Sequence, residues 1–426
     1  MMVHASAITV RPAEAGGSLG ANPFLGVVFH WLGGLASASC YLPFRGIKRW
    51  SWETYWLLQG IFSWIIAPLV LAGLLVPNLF PILHASPSSS IFFAYFWGCL
   101  WGIGGLTCGL SIRYLGFALG YPIVLGLCTV FGTLMPPIFS GEIRSIASQA
   151  SGQVILLGIG VCVLGIFFSG FAGRAKENEL TEAQKKESVE EFHYGKGIAV
   201  SILSGIMSAC FAYGLAAGKP IGDIARGQLF AHHDADLWQN LPVLVVVLWG
   251  GFTTNFIWCL ILLVRNRSAS QLAGDAAEPE ANHAEVTPLD AALADAIPLA
   301  DAALIDDLPR QPIRHERLKA ALMFTNYSMA ALAGVMWYFQ FFFYSMGQTK
   351  MGKYDFSSWT LHMASIIIFA TIWGFALKEW RGTSLRARSL VAVGLALLVA
   401  STVVVGYGNY IKASQTSGQS AMTQPR

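Results

Sequence analysis

The sequence predicts an all-α integral membrane protein with about ten transmembrane helices, arranged as two inverted five-helix repeats. Of its 426 residues, 54% are hydrophobic and only 12% are charged, against roughly a quarter charged in a soluble domain. Uncharged runs long enough to cross about 30 Å of hydrocarbon recur along nearly the whole chain. The Lys and Arg residues lie between these runs instead of forming one basic face.

Windows of about twenty apolar residues, bounded by charged residues, proline or polar clusters, predict ten spans. The third and fourth spans meet near Arg113–Gly116, and a count of nine would follow if they formed one helix. The predicted spans are residues 22–43, 52–76, 91–115, 117–140, 152–171, 197–218, 240–264, 319–347, 354–378 and 387–410.

The spans divide the chain into five segments: an N-terminal tail (1–21), a first repeat (22–171), a cytoplasmic loop (172–196), a second repeat (197–410) and a C-terminal tail (411–426). Residues 268–312 are rich in Ala, Asp and Pro without an apolar period, which indicates a flexible acidic cytoplasmic linker. Repeats of five spans have opposite orientations in the membrane, as in transporters built from inverted repeats. This repeat is inferred from topology alone.

Orientation follows from the positive charges, because loops rich in Lys and Arg are retained in the cytoplasm. The loops after spans 1, 3, 5, 7 and 9, counted with the charged residues at the adjoining span ends (Arg113, Lys319, Lys378 and Arg388), carry 3, 1, 5, 6 and 4 Lys and Arg residues, 19 of the 27 in the chain. We therefore expect both termini to be periplasmic and the protein to lie in a bacterial inner membrane. The first twenty residues lack a basic stretch followed by an apolar core, so we expect no cleaved signal peptide.

Several classes of function are disfavoured. The net charge of +3 is too small to indicate a nucleic-acid partner. All seven cysteines fall inside apolar segments, without a CxxC pair or metal-ligand spacing, and are read as packing residues. There is no Walker A, HExxH or GxSxG motif. We therefore expect neither an enzyme nor a cofactor or metal, with lipid and a small solute as partners; the oligomeric state is left open.

Polar groups inside the spans are functional candidates, because each costs a few kcal/mol in hydrocarbon unless it faces a cavity or a partner. In the eighth span one helical face carries amide, indole and phenol groups separated by small residues. Aromatic rings cover the C–H surfaces of a sugar and amides satisfy its hydroxyls. The alternative is interhelical hydrogen bonding within a packed bundle. The residues of this face are Asn326, Ala330, Ala333, Trp337, Gln340 and Tyr344.

Other spans add further candidates. His30 begins a stripe of small residues in the first span, either a packing surface or a cavity wall with a titrating imidazole. Asp355 and His362 share a face of the ninth span, although Asp355 could be an ordinary interfacial cap. The substrate-binding candidates are His30, Trp97, Trp101, Asn255, Asn326, Trp337, Gln340, Tyr344 and Trp359.

The chain resembles the L-rhamnose/proton symporter family, within the drug/metabolite transporter superfamily, over nearly its whole length. It departs from that family in its extended N-terminus and its longer linker at 268–312. The segments that carry the resemblance are Trp50-Ser51-Trp52-Glu53-Thr54, Trp101-Gly102-Ile103-Gly104, Arg113-Tyr114-Leu115-Gly116, Gly132-Thr133-Leu134-Met135, Met336-Trp337-Tyr338, Gln340-Phe341-Phe342-Phe343-Tyr344, Tyr354-Asp355, Leu361-His362-Met363 and Leu377-Lys378-Glu379-Trp380.

The resemblance implies ten spans, uptake of L-rhamnose or another 6-deoxyhexose, and coupling to inward proton flow. A metabolite exporter of the same superfamily and a membrane sensor without transport remain the alternatives. For the proton, imidazole titrates near neutral pH without help. Glu53 and Glu379 lie beside cationic residues, where ion pairing would keep them ionised. We therefore expect Asp355 and His362 to couple the proton, with His30 as the sugar-side partner.

Overall fold

The fold is a bundle of membrane-spanning helices. The computed structural model describes residues 22–115, 117–179, 194–231, 236–274, 312–377 and 380–423. Within these ranges ten helices are long and apolar enough to cross a membrane, which confirms the predicted all-α, multi-pass class. We label them α1 to α10: Pro23–Ser39, Trp52–Leu75, Ser88–Leu115, Phe117–Phe139, Ala150–Asn178, Tyr194–Ala217, Leu241–Arg265, Pro312–Lys350, Ser358–Ala376 and Leu385–Thr423.

Several helices extend beyond their predicted bounds. α8 begins at Pro312 and not at residue 319, and α10 continues to Thr423 through most of the segment predicted as a C-terminal tail. α5 likewise continues to Asn178. An apolar window measures the length of chain in contact with lipid, whereas backbone hydrogen bonding can continue into water.

The first residues of the predicted linker are helical and packed on the bundle. Residues Ala269–Ala273 form a 3₁₀ helix, and Ser268 and Gln271 are buried. Gly274 then adopts a positive φ of 92°. This segment is held by side-chain hydrogen bonds to α2, which a composition argument cannot detect. The rest of the predicted linker up to residue 311 lies outside the described residues, as do residues 1–21 and 180–193.

The bundle has two ends, which we name by the residues that begin the first two helices. The Pro23 end is where α1 begins, and the Trp52 end is where α2 begins. A helix that the sequence analysis did not predict, Lys219–Ala231, lies at the Pro23 end between α6 and α7. It buries Ile221, Ala225 and Leu229, so its apolar stripe packs on the bundle while its other face is exposed.

The middle of α2 departs from α-helical geometry. Residues Ile61–Ile66 form a π-helical segment, which is followed by Pro68 in the next α-helical turn. Proline has no N–H to donate to the carbonyl four residues earlier, and its ring crowds that carbonyl. The wider π turn relieves this conflict, and such turns are frequent at functional sites.

Helix packing relates the two halves of the chain. α1 packs against α8 and α9, and α6 packs against α3 and α4; α2 packs against α8, and α7 packs against α3. Helices five positions apart correspond, so that α1 matches α6, α2 matches α7 and so on. When each helix is replaced by its match, the contacts of α1 become those of α6, and the contact of α2 becomes that of α7. α5 and α10, which exchange with each other, pack together. An inverted repeat of five helices would produce this correspondence, and the repeat itself stays a prediction.

Glycine permits the closest helix crossings. A Cβ at Gly98 of α3 would overlap the carbonyl oxygen of Val247 in α7, and a Cβ at Gly250 of α7 would overlap the carbonyl oxygen of Tyr95. At Gly105, on the same α3, a Cβ would meet no described atom within 4 Å. The two helices can therefore touch backbone to backbone only because these positions have no side chain.

We expect Gly98→Ala to destabilise the protein by about 1–3 kcal/mol, since the added methyl meets backbone that cannot rotate away. The matched variant Gly105→Ala should be neutral or slightly stabilising, because alanine is the better helix former. Thermal unfolding of the two purified proteins in detergent measures the difference. Equal melting temperatures would show that the α3–α7 crossing is looser than described.

Candidate functional site

Three helices bring four of the candidate residues into one buried cluster. His30 of α1 lies 5.4 Å from Tyr344 of α8 and 6.4 Å from His362 of α9, measured between ring centroids. Tyr344 lies 5.2 Å from His362 and 5.8 Å from Trp359. We call these four residues the imidazole cluster. None of them is more than 3% exposed, so the cluster is sealed from both ends of the bundle.

Small residues allow the helices to approach closely enough to form the cluster. A Cβ at Gly347 would lie 2.7 Å from the His30 ring, and a Cβ at Gly33 would lie 3.3 Å from the His362 ring. Ser365 Oγ lies 2.8 Å from the His30 carbonyl oxygen and 2.7 Å from the His362 carbonyl oxygen, and its hydroxyl donates to them. The backbone of α1 is thereby tied to α9.

Some polar atoms of the imidazole cluster have hydrogen-bond partners and others have none among the described residues. Trp359 Nε1 donates to the carbonyl of Cys128 at 3.0 Å. Both ring nitrogens of His30 and both of His362 are buried, with no hydrogen-bond partner among the described residues. Leaving a buried polar group unpaired costs about 1–3 kcal/mol. Four such atoms within one cluster are the expected signature of a site that receives a polar ligand or a proton.

Asp355 lies next to the cluster at the Pro23 end. It belongs to the 3₁₀ helix Gly352–Ser357 that leads into α9, and it is partly exposed. Its carboxylate is within electrostatic range of Tyr344 and of Lys219 and Glu142. The carboxylate is therefore placed between the surface and the buried rings.

Gln340 is buried on α8, about one turn before Tyr344. A Cβ at Gly33 would lie 2.9 Å from the backbone carbonyl oxygen of Gln340. The residue therefore lies where α1 and α8 touch, beside the cluster on its Trp52 side.

An aromatic belt borders the cluster toward the Trp52 end. Phe211 of α6 lies 5.7 Å from Trp359 and 4.6 Å from Phe341 of α8. Trp101 of α3 lies 5.1 Å from Phe211 and 5.5 Å from Phe341. We call Phe211, Phe341 and Trp101 the aromatic belt.

Trp97, one helical turn before Trp101 on α3, packs edge-on against Tyr213 of α6 at 5.4 Å. The Tyr213 hydroxyl donates to the Phe131 carbonyl. Trp97 and Trp101 therefore both contact α6, and only Trp101 belongs to the aromatic belt.

Beyond the belt, tryptophans continue toward the Trp52 end. Trp64 lies 6.0 Å from Trp101 and 6.3 Å from Trp56, and Trp337 lies 5.6 Å from Trp56. Asn255 of α7 accepts a hydrogen bond from Trp56 Nε1 at 3.2 Å and donates to the Gly251 carbonyl at 2.9 Å. Its amide is thus used within the protein, where it holds the Trp56 ring in place.

Asn326 is at the Trp52 end, away from the other candidates on its helix face. Its amide accepts from the backbone N–H of Lys48 at 3.0 Å and donates to the Lys48 carbonyl at 2.8 Å. Both polar groups of the side chain are occupied, so Asn326 fixes the loop between α1 and α2. One helical face spans many ångströms along its axis, which is why a shared face did not imply a shared site.

Further side-chain contacts hold the Trp52 end closed. The buried Glu53 carboxylate accepts from Asn266 Nδ2 at 3.0 Å and from the Ser268 hydroxyl at 2.6 Å. Gln271 Oε1 accepts from the Ser51 N–H at 2.7 Å and from the Thr54 hydroxyl at 2.9 Å. These bonds join the start of α2 to the segment that follows α7, so the Glu53 carboxylate is used within the protein.

The Pro23 end is closed by different contacts. Lys350 Nζ lies 3.2 Å from the Asp236 carboxylate, and the Lys350 carbonyl accepts from the Asn22 N–H. Asn240 donates to Gln348 at 3.3 Å.

A cavity of about 510 Å³, lined by Phe375, Trp380, Arg381 and Arg388, lies at the opposite end of the bundle, remote from the cluster. The imidazole cluster is therefore identified by its buried unpaired polar atoms and not by this cavity.

The sequence analysis missed several buried residues that lie between the cluster and the Trp52 end. Gln59 is fully buried in α2, and neither of its amide atoms has a partner among the described residues. The rule that selected Asn255, an amide alone in an apolar run, would also have selected Gln59. Ser63, Phe211 and Tyr338 also went unnoticed, and only the helix packing distinguishes them from ordinary core residues.

The comparisons with known proteins agree on one family. The profile of the L-rhamnose-proton symport protein family matches residues 20–279 and 314–411, so the internal unmatched stretch, residues 280–313, lies within the predicted linker except for its last residue. Curated relatives named L-rhamnose-proton symporter occur in Klebsiella pneumoniae subsp. pneumoniae and Escherichia coli O17:K52:H18. Each is 31% identical over 385 residues, 90% of this chain and 97% of the relative. A Yersinia pestis relative of the same name is 30% identical over 386 residues. The chain belongs to the L-rhamnose-proton symport protein family.

Proposed function

We propose that this protein carries L-rhamnose, or a closely related 6-deoxyhexose, together with protons into the cell across a bacterial inner membrane. Family membership supports the substrate class and the coupling. The observation that carries the proposal at the level of residues is the pair of buried imidazoles, His30 and His362, with all four nitrogens unpaired among the described residues. Paired with Tyr344 and Trp359, they offer a sugar both hydrogen-bonding groups and aromatic faces.

In this proposal the sugar enters from the Pro23 end and binds at the imidazole cluster. His30 and Gln340 hydrogen-bond its hydroxyls, while Trp359 and Tyr344 cover its C–H surfaces. Entry requires the contacts around Lys350 to open, and release requires the contacts around Glu53 and Gln271 to open. Alternation between these two states around one central site is the expected behaviour of a carrier built from two repeats.

The proton is assigned to Asp355 and His362. An imidazole ring can bind and release a proton, and Asp355 stands between the surface and the cluster. His362 also touches the rings that would hold the sugar. A change in its charge therefore alters the sugar site directly, which is the physical requirement for coupling two fluxes.

The proposed orientation places the Pro23 end in the periplasm. The described cationic side chains at the Trp52 end include Arg45, Lys48, Arg174, Arg265 and Arg381, which agrees with the retention of positive loops in the cytoplasm. Residues 1–21 and the end of α10 would then emerge on the periplasmic side.

Transport in right-side-out membrane vesicles tests the function. We expect radiolabelled L-rhamnose to accumulate when the outside is made acidic, and only to equilibrate after a protonophore removes the gradient. Unlabelled 6-deoxyhexoses should compete in proportion to their likeness to L-rhamnose, and a sodium gradient in place of the pH gradient checks the coupling ion. Efflux driven by the pH gradient would favour an exporter, and absence of any sugar flux would favour a sensor.

Accumulation and counterflow exchange, measured on the same variants, distinguish a role in proton coupling from a role in sugar binding. We expect Asp355→Asn and His362→Gln each to abolish accumulation while counterflow exchange, which needs no net proton movement, survives. The matched controls are Asp223→Asn and His84→Gln, two exposed residues at the same end, and both should accumulate sugar normally. Normal accumulation with unchanged pH dependence in both test variants would place the proton elsewhere.

Fusions of two reporters test the orientation. A reporter active only in the periplasm should be active after Arg426 and inactive when inserted near Ala292, because the linker is placed in the cytoplasm. A reporter active only in the cytoplasm should give the reverse pattern. If the periplasmic reporter worked only at Ala292, the assignment of the two ends would have to be exchanged.

A further inference from the structure

A second group of unpaired polar atoms lies on α2 and α8, away from the imidazole cluster. Five buried side-chain groups have atoms without a hydrogen-bond partner in the part of the chain that the structure describes: the amide of Gln59, the hydroxyls of Ser63 and Tyr338, and the indole N–H groups of Trp64 and Trp337. Gln59, Ser63 and Tyr338 are all 0% exposed. Native interiors pair nearly all such groups, so a local concentration of exceptions needs an explanation.

Helix packing places these groups at neighbouring levels of the bundle. α2 and α8 touch where Gly334 faces the carbonyl oxygen of Gln59, and a Cβ at Gly334 would lie 2.8 Å from Phe62 Cβ. Both helices run from the Trp52 end toward the Pro23 end, so they are parallel. One turn farther along each helix places Ser63 at the level of Tyr338. The rings of Trp56, Trp64 and Trp337 stand beside this contact.

This group is separate from the imidazole cluster. Gly334 touches Gln59, whereas Gly347 touches His30, and the two glycines are thirteen positions apart on α8 (334 to 347). At 1.5 Å per residue the separation is about 20 Å along the helix. Phe341 and the rest of the aromatic belt lie between the two levels. Gln59 and His30 are therefore too far apart for one monosaccharide to contact both. The nearest members of the two groups on α8, Tyr338 and Tyr344, are six positions apart, about 9 Å along the helix.

We propose that Gln59, Ser63 and Tyr338, walled by Trp56, Trp64 and Trp337, form a second sugar-binding station on the Trp52 side of the aromatic belt. An amide offers a donor and an acceptor side by side, which matches neighbouring hydroxyls of a pyranose. The indole rings cover its apolar C–H faces. The ligand class, a polyhydroxylated monosaccharide, rests on the proposed function.

Two residues of the proposed station lie in the π-helical segment of α2. Ser63 and Trp64 lie inside Ile61–Ile66, and a Cβ at Gly60 would lie 2.9 Å from the Trp64 ring. A π turn holds one residue more than an α turn, so its side chains are aimed differently from those of a regular helix. The station thus combines polar groups on a π-helical turn of α2 with polar groups on a regular α-helical face of α8.

The test compares sugar affinity from the two sides of the membrane. Gln59→Met keeps the length of the side chain without its polar atoms, and Tyr338→Phe removes only one hydroxyl. L-rhamnose exchange is measured in right-side-out and in inside-out vesicles at equal pH on both sides. We expect the half-saturation concentration to rise about tenfold from the Trp52 side and less than about twofold from the Pro23 side. The control Gln153→Met, at an exposed glutamine of α5, should leave both values unchanged.

A thermal measurement needs no transport and separates the station from a structural role. Without sugar, Gln59→Met and Tyr338→Phe should melt at or above the wild-type temperature, because each removes an unpaired buried polar group. Melting several degrees lower would show that these groups stabilise the fold, and it would overturn the station whatever sugar the protein carries. An equal loss of affinity from both sides, or none, in vesicles where the wild type transports L-rhamnose, would overturn the station while leaving the proposed function intact.

Discussion

The close approach of α1 to α8 and α9 is the contact on which the rest of the site depends. Glycines at 33 and 347 leave room for the two imidazoles, and Ser365 ties the His30 backbone to α9. With larger residues at these positions, the rings of His30, Tyr344 and His362 could not stand within about 6 Å of one another. Their burial removes water as a partner, so only another ring, a ligand or a proton can satisfy the nitrogens.

The buried polar residues discussed above fall into two sets, according to whether their polar atoms are hydrogen-bonded within the chain. Asn255, Asn326 and Glu53 have their polar atoms occupied by other parts of the chain, and they hold a tryptophan, a loop and a helix start in place. His30, His362 and Gln59 keep theirs unpaired among the described residues. The first set holds the described conformation together, and the second set is the one that we propose for a substrate.

The closures at the two ends differ in chemistry. One end is joined by an ion pair and amide contacts around Lys350, and the other by hydrogen bonds among Glu53, Gln271 and their neighbours. Each hydrogen bond of this kind contributes a few kcal/mol at most, so these contacts can open without unfolding the bundle. A closed state held by polar contacts at both ends is what an alternating carrier requires between its two open states.

The sequence by itself determined the class of the protein, the ten spans and the family, because apolar length and dense motifs are local properties of the chain. It also identified His30, Tyr344, Trp359 and His362 as candidates, since polar groups within a span are rare. It could not separate Gln340 from Asn326, which share one helix face, or find Ser63, Phe211 and Tyr338, whose types are ordinary in a core. Only the tertiary structure decided which polar atoms are already paired, because pairing depends on contacts between helices far apart in sequence. The same reason explains why residues 268–274 pack against α2 although their composition indicated a flexible linker.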